Sequence, residues 1–130
     1  MTSERIPLFF RRSRTACAVT PFGDNLTLFR QIDSLINDGI QFFLFNADTQ
    51  DGLRFAEQVL LRKKLQKGNH EDKIILIAVT HNENAINDRD EKFRNNFFDI
   101  ISRCDEFIDI RNNEPHACEK FMLGKSSKTI

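Results

Sequence analysis

The chain has 130 residues, 40% of them hydrophobic and 29% charged, with Lys and Arg equal in number to Asp and Glu and a formal net charge of +0. That length suits one domain whose core is large enough to fold without disulfides or metal. The balanced charge argues against a strongly electrostatic partner, so neither duplex nucleic acid nor an anionic membrane is expected.

The aromatic residues are 13 Phe with no Trp and no Tyr. Phe fills volume without a polar handle, so most of them are expected in packing. The Cys residues, at 17, 104 and 118, include no Cys-x-x-Cys pair. An odd count without metal spacing suggests reduced thiols in a cytosol. No apolar run approaches the ~20 residues of a membrane span. Pro7-Leu8-Phe9-Phe10, followed by Arg11 and Arg12, is too short for the core of a signal peptide. A cytoplasmic protein with no membrane association is the expectation.

Residues 1–14 form a lead-in that ends in the basic cluster Arg11, Arg12 and Arg14. It reads as a solvated tail or, more pointedly, as an anion-binding arm. Thr15-Ala16-Cys17-Ala18-Val19-Thr20 reads as a short buried strand. Pro21-Phe22-Gly23 is a loop, and Asp24 or Asn25 can cap a helix with Leu26, Phe29, Ile32, Leu35 and Ile36 on one face. Gly39 suits the left-handed position that closes it. Residues 40–45 are almost continuously apolar, as in a strand covered on both faces. After Asn46-Ala47-Asp48-Thr49, Asp48 or Thr49 can cap a second helix carrying Phe55, Ala56, Val59 and Leu60. Its basic end, Arg62-Lys63-Lys64, suits the negative pole of the helix dipole.

Ile74-Ile75-Leu76-Ile77-Ala78-Val79 is the strongest strand signal, β-branched and apolar on both faces. A polar stretch, residues 81–90, precedes a helix through Phe93, Phe97, Ile100 and Ile101. Residues 106–110 read as a fourth strand. Pro115 suits the first turn of a last helix, which carries Phe121 and Met122 and stops at Gly124. Strand and helix alternate four times, which predicts parallel pairing through right-handed crossovers. The expected fold is an α/β, Rossmann-like three-layer sandwich with a mostly parallel sheet of four to five strands, spanning residues 15–130 as a single domain.

Open parallel sheets bind ligands beyond the carboxyl ends of their strands. Those ends fall at residues 20–23, 46–49, 80–82 and 111–113. A helix N-terminus there offers free N–H groups to phosphate or carboxylate, so a nucleotide-type small molecule is the expected ligand. The candidate ligand-binding residues are Thr20, Asn46, Asp48 and Thr49. The same residue types also serve as ordinary strand-end and capping groups. Neither Gly-x-Gly-x-x-Gly nor a Walker-type phosphate loop is present.

His116 and Cys118 have no second pair to complete a zinc site, so no metal and no cofactor is expected. Cys17, in an apolar strand, reads as an inert buried thiol. Ser126 and Ser127 lack the nucleophile-elbow pattern, and no carboxylates can be assigned as an acid/base pair, so catalysis is not expected. His81, directly after the strongest strand, is the histidine best placed to reach a crevice.

Five stretches carry a family resemblance: residues 15–20, residues 39–45, Ala56-Glu57-Gln58-Val59-Leu60, residues 74–80 and residues 121–127. They resemble the SLOG superfamily, in its YpsA/YoqJ-like bacterial branch. The resemblance implies a Rossmann-like fold and binding of nucleotides or nucleotide-derived ligands. Some members of the wider superfamily are phosphoribohydrolases or DNA-processing proteins, which makes hydrolysis of a nucleotide-type N-glycosidic bond the third reading.

The loops depart from the family pattern. Thr20 matches the Thr of Thr-Gly-His-Arg, but Pro21-Phe22-Gly23 replaces the rest. Both glycines of the loop after the second strand are lost, and Gly52 stands at the acidic position. Gly124 stands where Asp is expected. The sequence stops at Lys128-Thr129-Ile130, where a fifth strand begins in the family, so the last strand is expected to be missing. The alternative implied by these departures is a non-catalytic interaction or regulatory module, for which a homo-oligomer is one arrangement.

Overall fold

The computed structural model describes residues 10–19, 23–66 and 73–130. Thr20 therefore lies outside the described residues. The strands are β1 (Thr15–Ala18), β2 (Phe42–Asn46), β3 (Ile75–Thr80), β4 (Glu106–Asp109) and β5 (Lys128–Thr129). The helices are α1 (Asn25–Asn37), α2 (Gln50–Leu65), α3 (Glu91–Arg103) and α4 (Ala117–Lys125). The sheet is five-stranded, in the order β4-β3-β2-β1-β5, and each pairing is parallel. This is the α/β, Rossmann-like three-layer architecture expected from the alternation.

The layering follows from the direction of travel across the sheet. From β1 to β4 the chain steps the same way three times, and crossovers of one hand put α1, α2 and α3 on one face. The step from β4 to β5 runs back past the other strands. With the same hand, α4 must cross the opposite face.

The core divides accordingly. Ala16, Ala18, Phe43, Phe45, Leu76 and Ala78 pack against Leu28, Ile32, Phe55, Val59, Phe93, Phe97 and Ile100 of the three helices. Cys17, Phe42, Leu44, Ile75, Ile77 and Val79 pack against Ala117, Cys118 and Met122 of α4. Both sets alternate along the same strands, which is why the strands read as continuous apolar runs. Burying one such Phe fully is worth roughly 1.5–3 kcal/mol.

One expectation is corrected. The fifth strand is present: Lys128 and Thr129 pair with Ala16 and Cys17, and Ile130 donates to the Cys17 carbonyl at 2.9 Å and accepts from Val19 at 3.1 Å. Two residues suffice because the buried β1 supplies the hydrogen-bonding edge. At the end of the lead-in Arg11–Arg14 are exposed, whereas Phe10 is half-buried. The Phe10 ring sits 5.1 Å from that of Phe42, Arg12–Arg14 form a 3-10 turn, and Arg12 Nε donates to the Gly124 carbonyl at 3.3 Å. Phe10 helps cover the face on which α4 packs.

The last helix also differs at its ends. It begins at Ala117, after Pro115, because His116 takes a left-handed conformation at φ 60. It continues one residue past Gly124.

Candidate functional site

β3 and β4 are neighbours whose following chain segments leave in opposite directions. After β3 the chain enters a 3-10 turn (Glu83–Asp88) and α3 on one face. After β4 it enters α4 on the other. Open parallel sheets place their ligand crevice where such segments part, at the carboxyl end of the sheet. Its floor is tied by Asn112 N–H donating to the His81 carbonyl at 2.9 Å and by Glu83 N–H donating to Asp109 Oδ2 at 3.1 Å. The other Asp109 oxygen accepts from Arg111 N–H at 2.9 Å, holding Arg111 at φ 50. The Asp109 carboxylate is thus a buried brace between the two segments.

Asp48 supplies the second brace and reaches across from the loop after β2. Its Oδ1 accepts the Thr80 hydroxyl. Its Oδ2 accepts His81 N–H at 2.9 Å and pairs with His81 Nδ1 at 2.6 Å. The Cys118 thiol donates to the same oxygen at 3.5 Å. One carboxylate therefore gathers groups from β3, the segment after it and the first turn of α4.

With Nδ1 committed to Asp48, the imidazole presents Nε2 as its free ring nitrogen. Nε2 has no hydrogen-bond partner among the described residues, and the side chain is 34% exposed. Cys118 is a donor here and not a nucleophile. Burial, then the adjacent Asp48 carboxylate, push its thiol upward and keep it protonated.

Asp48 is free for this work because another residue caps α2. Thr49 Oγ1 accepts Gly52 N–H at 3.0 Å, while Asn46 Oδ1 accepts Asp48 N–H at 2.9 Å and fixes the turn. Arg89 donates to the Asp48 carbonyl at 2.6 Å, with its guanidinium carbon 3.6 Å above the Phe93 ring.

The first turn of α4 completes the crevice. Its preceding residue, His116, makes no side-chain cap, unlike Asp24, Thr49 and Asp90 ahead of the other three helices. Ala117 N–H is taken by the Glu114 carbonyl at 3.2 Å, and the N–H groups that follow it, at the partially positive end of α4, have no side-chain cap.

Of the residues singled out from the sequence, Asn46, Asp48 and Thr49 lie together at the rim, but each spends its side chain on an internal partner. His81 is the one that presents a free atom. Asp109, Thr80 and Cys118 were not anticipated as members of this cluster. The signal for Cys118 was the Cys itself in a first helical turn, and only the strand order brings it next to Asp48.

A cavity of about 390 Å³ adjoins this floor beside β4, lined by Ile101, Phe107 and Arg111 together with Glu83 and Asp109. Another of about 400 Å³ lies where Gln50 and Glu57 of α2 face Lys92 and Asn96 of α3. Convergent polar groups with a free atom are the better guide to a site, and neither cavity has them in the form the crevice does. Among the described residues no group of three or more His, Cys, Asp or Glu is placed to hold a metal ion, and no helix is long and apolar enough to cross a membrane.

No family model matches the chain, and no curated protein matches it.

Proposed function

We propose that the crevice between the carboxyl ends of β3 and β4 binds a small anionic molecule of nucleotide type. The observation that carries this reading is the Asp48–His81 pair, which leaves Nε2 without a partner among the described residues, while Cys118 of the first turn of α4 meets the same Asp48 oxygen. A phosphate or carboxylate there would take N–H bonds from α4, and one from His81 Nε2 when the ring carries both protons. Asp48 acts as a positioning residue, holding the ring and closing the floor. The likeness of the framework to SLOG proteins supports the same ligand class. The arrangement favours binding over turnover, since Asp48 and Cys118 are both held in internal hydrogen bonds.

Thermal-shift measurements against nucleoside monophosphates and diphosphates test this. Ligand at 100 times Kd adds ~2.7 kcal/mol of stability. His81→Ala is expected to abolish the shift, and Asp48→Asn to weaken it. A flat response of the unaltered protein to the whole panel overturns the reading.

A second reading, a non-catalytic interaction module, is favoured by one observation. The side chains of Asn46, Asp48 and Thr49 are all consumed internally, as in a loop that serves the scaffold.

A further inference from the structure

The molecule is neutral as a whole, but its charge is divided between the two edges of the sheet. At the β5 edge stand Arg12, Arg14, Lys125 and Lys128, and none of them is in an ion pair among the described residues. Arg12, Arg14 and Lys128 are exposed. The β4 edge borders the groove of about 390 Å³, where Glu83, Asp105, Glu106 and Asp109 face a single cation, Arg111. Asp105 is paired with Lys63 at 2.8 Å, whereas Glu83 and Glu106 are in no ion pair among the described residues.

Among the described residues, both edges are strands with one side unpaired in the sheet. Such a strand presents every second amide and carbonyl outward, ready to pair with another chain. Because all the strands are parallel, β5 of a second copy laid beside β4 runs in the same direction and continues the sheet. The alternative, β4 against β4 about a two-fold axis, sets carboxylates against carboxylates.

We infer that the partner of the acidic β4 edge is the basic β5 edge of a second copy, in a head-to-tail association. An interface of this kind is heterologous, so it adds copies in one direction and does not stop at a dimer unless the rotation closes. The inference does not rest on the proposed ligand, although Glu83 and Asp109, which brace the crevice floor, also line this groove.

Light scattering during size exclusion, across a range of protein concentrations, reads the outcome. At low salt the mass is expected to rise with concentration above the 15.2 kDa of one chain. At ionic strengths near 1 M, where the Debye length falls to roughly 3 Å, it is expected to return toward one chain. The double variants Glu83→Lys/Glu106→Lys and Lys125→Glu/Lys128→Glu are each expected to stay monomeric. Mixed in equal amounts they are expected to associate, because each keeps the edge the other needs. If a double variant does not fold, the exposed single changes Glu83→Lys and Lys128→Glu give the same comparison. A monomer at every concentration in low salt overturns the inference. So does a variant that assembles like the parent, or a mixture that remains monomeric.

Discussion

An added Cβ at Gly52 would lie 1.8 Å from the Asn46 carbonyl oxygen and 2.8 Å from its carbon. The loop after β2 folds so tightly onto the first turn of α2 that only hydrogen fits. Gly52→Ala is therefore expected to destabilise the protein by at least ~1–3 kcal/mol, the usual cost of overpacking, as measured by urea unfolding. From sequence, Gly52 was legible only as a residue standing where the resembled family has an acid. Its contact with Asn46 depends on the turn that Asn46 and Thr49 build together.

The cysteines make a second case at this scale. Burial first, then the Asp105 carboxylate, push the Cys104 thiol up to about 12. Burial also raises Cys17 and Cys118. A thiol whose folded pKa is raised contributes stability below the unfolded value near 9 and loses it as pH climbs through the folded value. Stability under reducing conditions is expected to fall between pH 9 and about 12, and pH-dependent denaturation checks it. Native thiols are also expected to react slowly with Ellman's reagent at pH 8, and quickly once unfolded. The inert character of Cys17 was readable from its apolar strand, whereas the Asp48 neighbour of Cys118 was not.

At the scale of elements, chain order was legible because period and punctuation agree. Asp24, Thr49 and Asp90 cap where the apolar spacing begins, and Gly39 closes α1 at φ 94. The choice between Asp48 and Thr49 as the α2 cap was open in the sequence, and it decides the site. Thr49→Ala is expected to cost ~0.5–2 kcal/mol, typical of a lost cap. The face that α4 covers was not legible, since it depends on where β5 joins the sheet. Met122, fully buried, is the packing residue of that helix, and Leu123 is 44% exposed. Met122→Ala is expected to cost ~2–5 kcal/mol, while Leu123→Ala should stay within about ±0.5 kcal/mol. Equal losses in chemical denaturation would contradict the placement of α4.

For the whole molecule, the alternation of apolar strands and amphipathic helices conveyed the parallel sheet but not its order. Order β4-β3-β2-β1-β5 comes from the two residues of β5 pairing beside β1, a signal too short to read in advance. That order creates both the parting of segments between β3 and β4 and the two oppositely charged edges. It also explains why Asp48, Thr80, His81 and Cys118 meet although they lie far apart in the chain. The crevice is tested most directly by NMR of the histidine ring signals during titration with nucleoside monophosphates. The account predicts a saturable change in the His81 resonance, absent in Asp48→Ala, with the exposed His116 ring less affected. Titration that leaves His81 unmoved while the protein binds the nucleotide, or that moves no histidine at any concentration, contradicts it.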